Sequence, residues 1–202
     1  MGTKQDHYFR ARQDVPSVPH QVTVPLDSGS FTLATDSGVF SRERLDPGTR
    51  VLLELMPLPD GDGDVLDLGC GYGPIAFSIA LSRPEVPVWA VDVNTRALDL
   101  VRRNADTLGV NNVRACLPDE VPGDVRFSRV YSNPPIRIGK AALHELLSWW
   151  LPLLSGDSAA YLVVQRNLGA DSLAKWLESQ GFRTERIGSR RGYRVFDVRS
   201  LG

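Results

Sequence analysis

The chain has little of what marks a membrane, metal or disulfide protein. Its 202 residues include only two cysteines and three histidines, and no apolar run approaches the ~18 residues of a membrane span. Cys70 and Cys116 lie far apart, so we interpret both as small apolar residues in a reducing compartment and expect no disulfide. Because the histidines show no ligand spacing, no metal site is predicted. The polar amino terminus predicts no signal peptide, so we expect a cytoplasmic protein. We further expect a monomer or a homodimer.

Charge of one sign is also lacking, since the net charge is −1. A protein held to nucleic acid by bulk charge would be strongly basic. The basic residues are nevertheless concentrated in three places: Arg183, Arg186, Arg190, Arg191, Arg194 and Arg199; Lys4, Arg10 and Arg12; and Arg137 and Lys140. They form either a basic rim around an active site or a solvated basic strand pair, and the sequence leaves both interpretations open.

The order of periodic segments predicts an α/β fold. Residues 1–45 read as an arm and a hairpin whose strands, 21–26 and 30–35, flank Asp27-Ser28-Gly29. Residues 46–202 read as one domain, which starts with a helix that ends before Pro57. Strands are predicted at 65–68, 88–91, 113–117, 129–132 and 159–164, with 182–187 and 193–198 as a closing antiparallel pair. Apolar residues at helical spacing predict helices that include 98–108, Leu143 to Leu154 and 173–177. All four tryptophans are expected in the core.

A glycine turn follows the first strand of this domain. Val65-Leu66-Asp67-Leu68 runs into Gly69-Cys70-Gly71-Tyr72-Gly73-Pro74 and then into a helical pattern. A dinucleotide fingerprint would be G-x-G-x-x-G, with free amides for a pyrophosphate. Here the third glycine comes one residue early, and Pro74, which has no N–H, follows it. The turn is therefore typical of a ligand without phosphate, such as S-adenosylmethionine (SAM).

Two acids accompany this turn. Asp67 can face the cationic methionine end of SAM, and Asp92 ends the second strand, where acids accept hydrogen bonds from ribose hydroxyls. Asp92 could instead cap the following helix, a role that Asn94 suits equally well. The predicted cofactor site comprises Asp67, Gly69, Cys70, Gly71, Gly73, Asp92, Val93 and Asn133.

Asn133-Pro134-Pro135 follows another predicted strand, about 60 residues after the glycine turn. The side-chain carbonyl of Asn133 and the backbone carbonyl of Pro134 can accept the two hydrogens of a planar amine and draw its nitrogen out of conjugation. The prolines stiffen the loop beforehand, and Ile136 offers an apolar face to a base. The alternative is a plain strand-ending turn. Because both loops follow strands of one α/β sheet, they are expected at the same sheet edge.

These segments resemble a known family. The chain is similar to class I SAM-dependent methyltransferases of the "small" domain type, and most of all to bacterial small-subunit ribosomal RNA guanine-N2 methyltransferases. The resemblance covers nearly the whole chain and rests on HYF at 7–9, GVFSRERLDPGT at 38–49, DLGCGYGPI at 67–75, VDVN at 91–94, SNPPIRIGKAALHELL at 132–147 and VVQRNLGADSL at 163–173.

The resemblance implies a Rossmann-like, seven-stranded, mostly parallel sheet flanked by helices, with strand order 3-2-1-4-5-7-6 and strand 7 antiparallel. It implies SAM as cofactor, ribosomal RNA or the small ribosomal subunit as partner, and a base held by Asn133, Pro134, Pro135 and Ile136. Further implied substrate contacts are Phe40, Arg137, Lys140 and Gln165. Many relatives carry a duplicated amino-terminal domain that assists RNA binding, and we expect none in a chain of this length.

Other functions remain open at this point. The same loop suits methylation of adenine N6 in nucleic acid or of a protein glutamine amide, although those relatives place an aromatic residue where this chain has Ile136. The neutral charge also fits a small-molecule amine as substrate. A non-catalytic SAM- or RNA-binding protein is the alternative from another class, and the intact Asp67, Asp92 and Asn133 argue against it.

Overall fold

The computed structural model describes residues 15–135 and 138–201. The strands are β1 (His20–Leu26), β2 (Gly29–Thr35), β3 (Val65–Leu68), β4 (Val88–Val91), β5 (Val113–Cys116), β6 (Phe127–Ser132), β7 (Leu154–Gln165), β8 (Phe182–Arg190) and β9 (Tyr193–Ser200). The α-helices are α1 (Pro47–Leu55), α2 (Pro74–Ser82), α3 (Thr95–Leu108), α4 (Lys140–Trp150) and α5 (Ala170–Ser179). Residues 1–14 of the predicted arm, with HYF at 7–9, lie outside the described residues, as do Ile136 and Arg137.

Seven strands form one sheet in the order β5-β4-β3-β6-β7-β9-β8. The first five run parallel to their neighbours, whereas β9 is antiparallel to both β7 and β8. This confirms the predicted α/β class and the order 3-2-1-4-5-7-6. Parallel strands need helical crossovers, which cover both faces of the sheet. The strands β3 and β4 are accordingly buried along their whole length.

Two hydrophobic clusters, one for each face of the sheet, form the core. Consecutive strand residues alternate between them, so that Val65 belongs to the first and Leu66 to the second. Helices α1, α2 and α3 contribute to the first cluster, and α4 and α5 to the second.

The hairpin β1–β2 packs on the first cluster through Val22, Val24 and Leu33. Asn104 of α3 fastens it, because its side chain accepts from the Ala34 amide and donates to the Ala34 carbonyl. The hairpin therefore covers α2, which explains why that helix is apolar nearly all round. The proposed domain division after residue 45 stays a prediction.

Two predictions about α4 were wrong. The apolar stripe was expected to run through Leu151 and Leu154, but α4 ends at Trp150, and a 3-10 turn at Leu151–Leu153 leads into β7. Pro152 explains the change, since its ring prevents continued α-helical hydrogen bonding. Trp149 is 64% exposed rather than part of the core, because it lies off the buried stripe formed by Leu143, Leu147 and Trp150.

Trp89 and Trp150 are buried as expected, and Trp176 is partly buried and stacks on His144 with ring centroids 3.8 Å apart. Within residues 15–135 and 138–201, no helix has the length and apolar character needed to cross a membrane. The same residues contain no group of His, Cys, Asp and Glu side chains that could hold a metal ion.

Candidate active site

The two predicted loops meet at the carboxyl-terminal edge of the sheet. β3 and β6 are parallel neighbours, with Asp67 opposite Tyr131. The hydroxyl of Ser132 donates to the Leu68 carbonyl at 2.7 Å, which ties the ends of the two strands together. The glycine turn and the Asn133 loop therefore start side by side, at the place where open α/β sheets bind ligands.

The glycines of the turn have two different roles. Gly69 and Gly71 have positive φ values of 73° and 55°, and nothing lies within 4 Å of a Cβ built on either. Gly73 also has positive φ, but a Cβ there would lie 2.7 Å from the Phe77 ring. Gly69 and Gly71 thus leave open space for a ligand, whereas Gly73 is required by packing against α2.

The turn uses its amides internally. Gly69 and Cys70 both donate to the Val91 carbonyl, at 2.8 and 3.0 Å, and Gly71 donates to Oδ2 of Asp92 at 2.9 Å. A phosphate-binding turn would hold such amides free for its ligand. This geometry agrees with the interpretation that the ligand carries no phosphate.

The Cys70 side chain is buried in the first hydrophobic cluster, so only its backbone can face a cofactor. Burial raises the pKa of its thiol well above the ordinary range. Cys116 is also buried, and both cysteines are free thiols.

Asp67 presents a buried, unused acceptor. Its side chain is fully buried, and Oδ2 accepts from the Ala76 amide at 2.9 Å, while Oδ1 has no hydrogen-bond partner. Burial raises the pKa of this carboxyl to about 8. An orphaned buried carboxylate oxygen is destabilising unless a cation or donor binds it. The site therefore fits a ligand that carries an ammonium group.

Asp92 holds the glycine turn to the start of the next helix. Its two oxygens accept from the amides of Gly71 and Asn94, each at 2.9 Å. Asn94, not Asp92, is the N-cap of α3, since its side chain accepts from the Arg96 amide. Burial raises the pKa of Asp92. A carboxylate has about four lone-pair sites, so Asp92 can still accept from a ligand hydroxyl.

Asn133 is held by two residues that the sequence reasoning did not assign. Its side-chain nitrogen donates to Oδ1 of Asp46 at 2.7 Å and to Oγ1 of Thr49 at 3.0 Å. Asp46 is also the N-cap of α1 and accepts from the Thr49 amide. An ionised carboxylate can only accept, so the amide nitrogen of Asn133 must face it. Oδ1 of Asn133 is then the free end of the amide.

The two prolines differ in exposure. Pro134 is buried and Pro135 is exposed, and the Pro135 carbonyl accepts from the Ile138 amide at 3.0 Å. No described residue donates a backbone hydrogen bond to the Pro134 carbonyl. The two acceptors postulated for the amine, Asn133 Oδ1 and Pro134 O, are thus both uncommitted among the described residues.

The predicted substrate contacts are spread over the same edge. Phe40 is 54% exposed and lines a groove of about 480 Å³, and the neighbouring Gly38 carbonyl accepts from the Asn94 side chain. The groove therefore lies beside the second acid. Val93, 38% exposed, presents an apolar surface there. Lys140 is exposed at the start of α4.

Gln165 ends β7 opposite Tyr193 of β9. No hydrogen bond joins it or Lys140 to Asn133 in the part of the chain that the structure describes. Their role as substrate contacts therefore stays a prediction.

The comparisons with known proteins show the family of this chain. A family model, described as "Methyltransferase small domain", matches residues 30–197. The chain belongs to this family. The neighbouring solved structure described below contains AdoMet, which is SAM.

One relative matches nearly end to end. The uncharacterized protein YbxB of Bacillus subtilis is 31% identical over 199 residues, which cover 97% of this chain and 99% of the relative. The ribosomal RNA small subunit methyltransferase C of Yersinia pseudotuberculosis is 40% identical over 114 residues, covering 55% of this chain and 32% of the relative. Large subunit methyltransferases G match to a similar extent.

The fold also matches a solved structure, the T. thermophilus 16S rRNA N2 G1207 methyltransferase in complex with AdoMet and guanosine. The TM-score is 0.73 at 21% identity, over 92% of this chain and 51% of that one. The chain thus spans about a third of the curated ribosomal RNA enzymes and half of the solved one.

Proposed function

We propose that this chain transfers a methyl group from SAM to the exocyclic N2 amine of a guanine in small-subunit ribosomal RNA. The observation that carries the proposal is the fixed orientation of Asn133. With its amide nitrogen bound by Asp46 and Thr49, Oδ1 is aimed away from them as a hydrogen-bond acceptor, at the strand end beside the cofactor turn.

Bound SAM would supply an electrophilic methyl group on a sulfonium centre. As the amine nitrogen bonds to this methyl carbon, the carbon–sulfur bond would break and S-adenosylhomocysteine would leave. We assign the ammonium group of SAM to Asp67 Oδ1 and its ribose hydroxyls to Asp92. The ligand lies in the open space beside the backbone of Gly69 and Gly71. Val93 provides an apolar contact for the adenine ring. Because these groups are in place before the ligand arrives, they contribute positioning more than chemistry.

Asn133 and Pro134 prepare the nucleophile. Asn133 Oδ1 and the Pro134 carbonyl accept the two hydrogens of the amine, which draws the nitrogen lone pair out of the ring plane and towards the methyl group. These dipoles are oriented in advance, so little reorganisation accompanies the reaction. The proton that the methylated nitrogen releases leaves through the hydrogen bond to Asn133 Oδ1 and reaches water.

Guanine in small-subunit RNA is supported by the names of the small-subunit relatives and of the guanosine complex. A paired base cannot enter such a site, so the target guanine is unpaired or flipped out of its helix, which costs a few kcal/mol. We place Phe40 against the base or its neighbour, because its exposed ring lies at the groove beside Asp92. The matches to large-subunit enzymes favour large-subunit RNA as the second candidate substrate.

The test is methyl transfer from labelled SAM to small subunits, large subunits and the bare RNA of each, followed by nucleoside analysis. N2-methylguanosine from small-subunit material is the expected product. Label in large-subunit RNA would favour the second candidate, and N6-methyladenosine would contradict guanine as the target. Absence of label from all four substrates, with SAM binding intact, would contradict ribosomal RNA altogether.

A further inference from the structure

A group of arginines surrounds a groove near the active site. The groove measures about 240 Å³ and is lined by Arg166, Arg186, Arg190, Arg191, Arg194 and Tyr193, among others. We call it the arginine groove. Four of these arginines lie in the carboxyl-terminal region whose basic character the sequence left unexplained, and Arg166 joins them from the end of β7.

The β8–β9 turn brings these residues together. Arg191 and Gly192 both have positive φ, 49° and 80°, as a tight two-residue hairpin turn requires. The amide of Arg166 donates to the Gly192 carbonyl at 2.8 Å. The turn is thereby fastened to the carboxyl end of β7, and side chains from three segments converge on one surface.

The arginine groove carries excess positive charge. Arg190 and Arg191 share Glu54, at 3.1 and 2.7 Å, and Arg194 pairs with Asp171. Arg166 and Arg186 make no ion pair with any described residue. Five guanidinium groups thus face two carboxylates.

Glu54 stays ionised and orients its two arginines. Burial alone would raise the pKa of Glu54, but hydrogen bonds from Arg191 and Arg190 outweigh it and lower that pKa. Since these two arginines are held in place beforehand, less side-chain entropy is lost when an anion binds.

The arginine groove lies next to the residues that hold Asn133. A Cβ on Gly48 would lie 2.9 Å from the Tyr193 ring and 2.9 Å from the Asp46 carboxylate. Asp46 binds Asn133, so Gly48 joins a residue that lines the arginine groove to the residue that holds Asn133. An RNA strand that places a base at Asn133 has its neighbouring phosphates within reach of this surface.

We propose that the arginine groove binds backbone phosphates of the RNA strand flanking the target base, an inference that rests on the proposed RNA methyltransferase function. Planar guanidinium groups pair bidentately with phosphate oxygens. The chain as a whole is near neutral, with a net charge of −1. RNA affinity therefore depends on this local cluster rather than on bulk charge.

The test uses the double variant Arg166→Gln/Arg186→Gln, which removes the two arginines without an ion pair and so leaves the paired ones intact. The matched control is Arg103→Gln/Arg126→Gln, which removes two exposed arginines elsewhere, one on α3 and one before the amino end of β6. The probe is fluorescein-labelled single-stranded RNA copied from small-subunit ribosomal RNA, titrated at several salt concentrations.

Loss of two phosphate contacts makes the negative slope of log affinity against log salt shallower by about 1.4. It also lowers the RNA affinity at ~0.1 M salt by about 10- to 30-fold. We expect this for the groove variant and not for the control, with SAM affinity unchanged in both. Equal losses in the two variants, or none in the groove variant, would overturn the proposal. So would displacement of the RNA by polyglutamate at equal charge concentration, which would assign the surface to an acidic protein.

The proposed methylation can fail separately from this inference. If wild-type protein binds RNA through the arginine groove yet transfers no methyl group to any ribosomal RNA, the groove assignment stands and the proposed reaction does not. If methyl transfer occurs and the groove variant keeps the wild-type salt slope, the reaction stands and the groove assignment is overturned.

Discussion

The side-chain nitrogen of Asn133 lies 2.7 Å from Oδ1 of Asp46, although 87 positions separate the two residues in the chain. Asp46 thereby has two roles, since the same oxygen caps helix α1 by accepting from the Thr49 amide. The N-cap residue of α1, which is not part of the cofactor turn, therefore fixes the orientation of the Asn133 amide.

Asp46→Asn separates these two roles. Asparagine caps helices about as well as aspartate, so the melting temperature should stay close to that of the wild type. The variant no longer presents a pure acceptor to Asn133, whose amide can then rotate. We expect turnover to fall about 10- to 100-fold, with SAM affinity preserved.

Steady-state kinetics and SAM titration check this prediction, with Asp124→Asn as a control because Asp124 is an exposed acid that precedes the amino end of β6, at the opposite edge of the sheet. Wild-type turnover in Asp46→Asn would show that Asn133 needs no such partner. A parallel loss of SAM affinity would mean that Asp46 supports the fold of the site rather than the orientation of the amide.

Asp67 makes the stability of the ligand-free protein depend on pH. Burial raises its pKa from 3.8 to about 8, so the folded protein keeps a proton that the unfolded chain releases within that window. Stability from this group is complete below the lower value and is lost as pH rises through the upper one. Relative to Asp67→Asn, the ligand-free wild type should become steadily less stable as pH rises from about 4 to 8.

SAM should reverse this trend. If its ammonium group binds Oδ1, the carboxylate is stabilised and binding releases a proton, so SAM affinity should rise with pH up to about 8. Calorimetry in buffers of different ionisation enthalpy measures the released proton. The same proton release and the same pH trend in Asp67→Asn would refute the assignment of the ammonium group to this residue.

The glycines at 71 and 73 should respond differently to alanine. At Gly73 a Cβ lies 2.7 Å from the Phe77 ring and φ is 91°, so Gly73→Ala should lower the free energy of unfolding by about 1–3 kcal/mol. At Gly71 the space is open, so Gly71→Ala should lower the free energy of unfolding by only about 1 kcal/mol. The added Cβ should instead lower the affinity for SAM. Urea denaturation measures the loss of stability in both variants, and SAM titration measures their cofactor affinity. A larger stability loss in Gly71→Ala and a larger affinity loss in Gly73→Ala would contradict these roles.

Most of the fold is readable from the chain because its local patterns agree with one another. The buried runs 65–68 and 88–91, the helix ended by Gly109 and the hairpin at 27–28 each carry their own signal. The order of strands came from the family resemblance, not from periodicity. The helix end at Trp150 was missed although Pro152 marks it, because the apolar spacing continues past the proline.

The sequence predicted which residues meet at the sheet edge but not the hydrogen bonds that hold Asn133. Asp67 lies near the carboxyl end of β3, and Asp92 and Asn133 directly follow β4 and β6, so their convergence could be inferred from the sheet alone. The contact of Asn133 with Asp46 and Thr49 could not, because Asp46-Pro47-Gly48-Thr49 reads locally as nothing more than a helix start. Arg166 is brought to the arginine groove by the pairing of Gln165 with Tyr193 and by the hydrogen bond of its own amide to the Gly192 carbonyl, and no local pattern signals either contact.

The most direct measurement of the central claim is the single-turnover rate of methyl transfer by Asn133→Ala, with SAM affinity measured on the same preparation. The reaction proposed here relies on Asn133 Oδ1 as a preoriented acceptor. It therefore predicts that the rate of N2-methylguanosine formation falls about 10²-fold or more, while SAM binds as it does to the wild type. A wild-type rate in this variant would contradict the claim that Asn133 activates the amine.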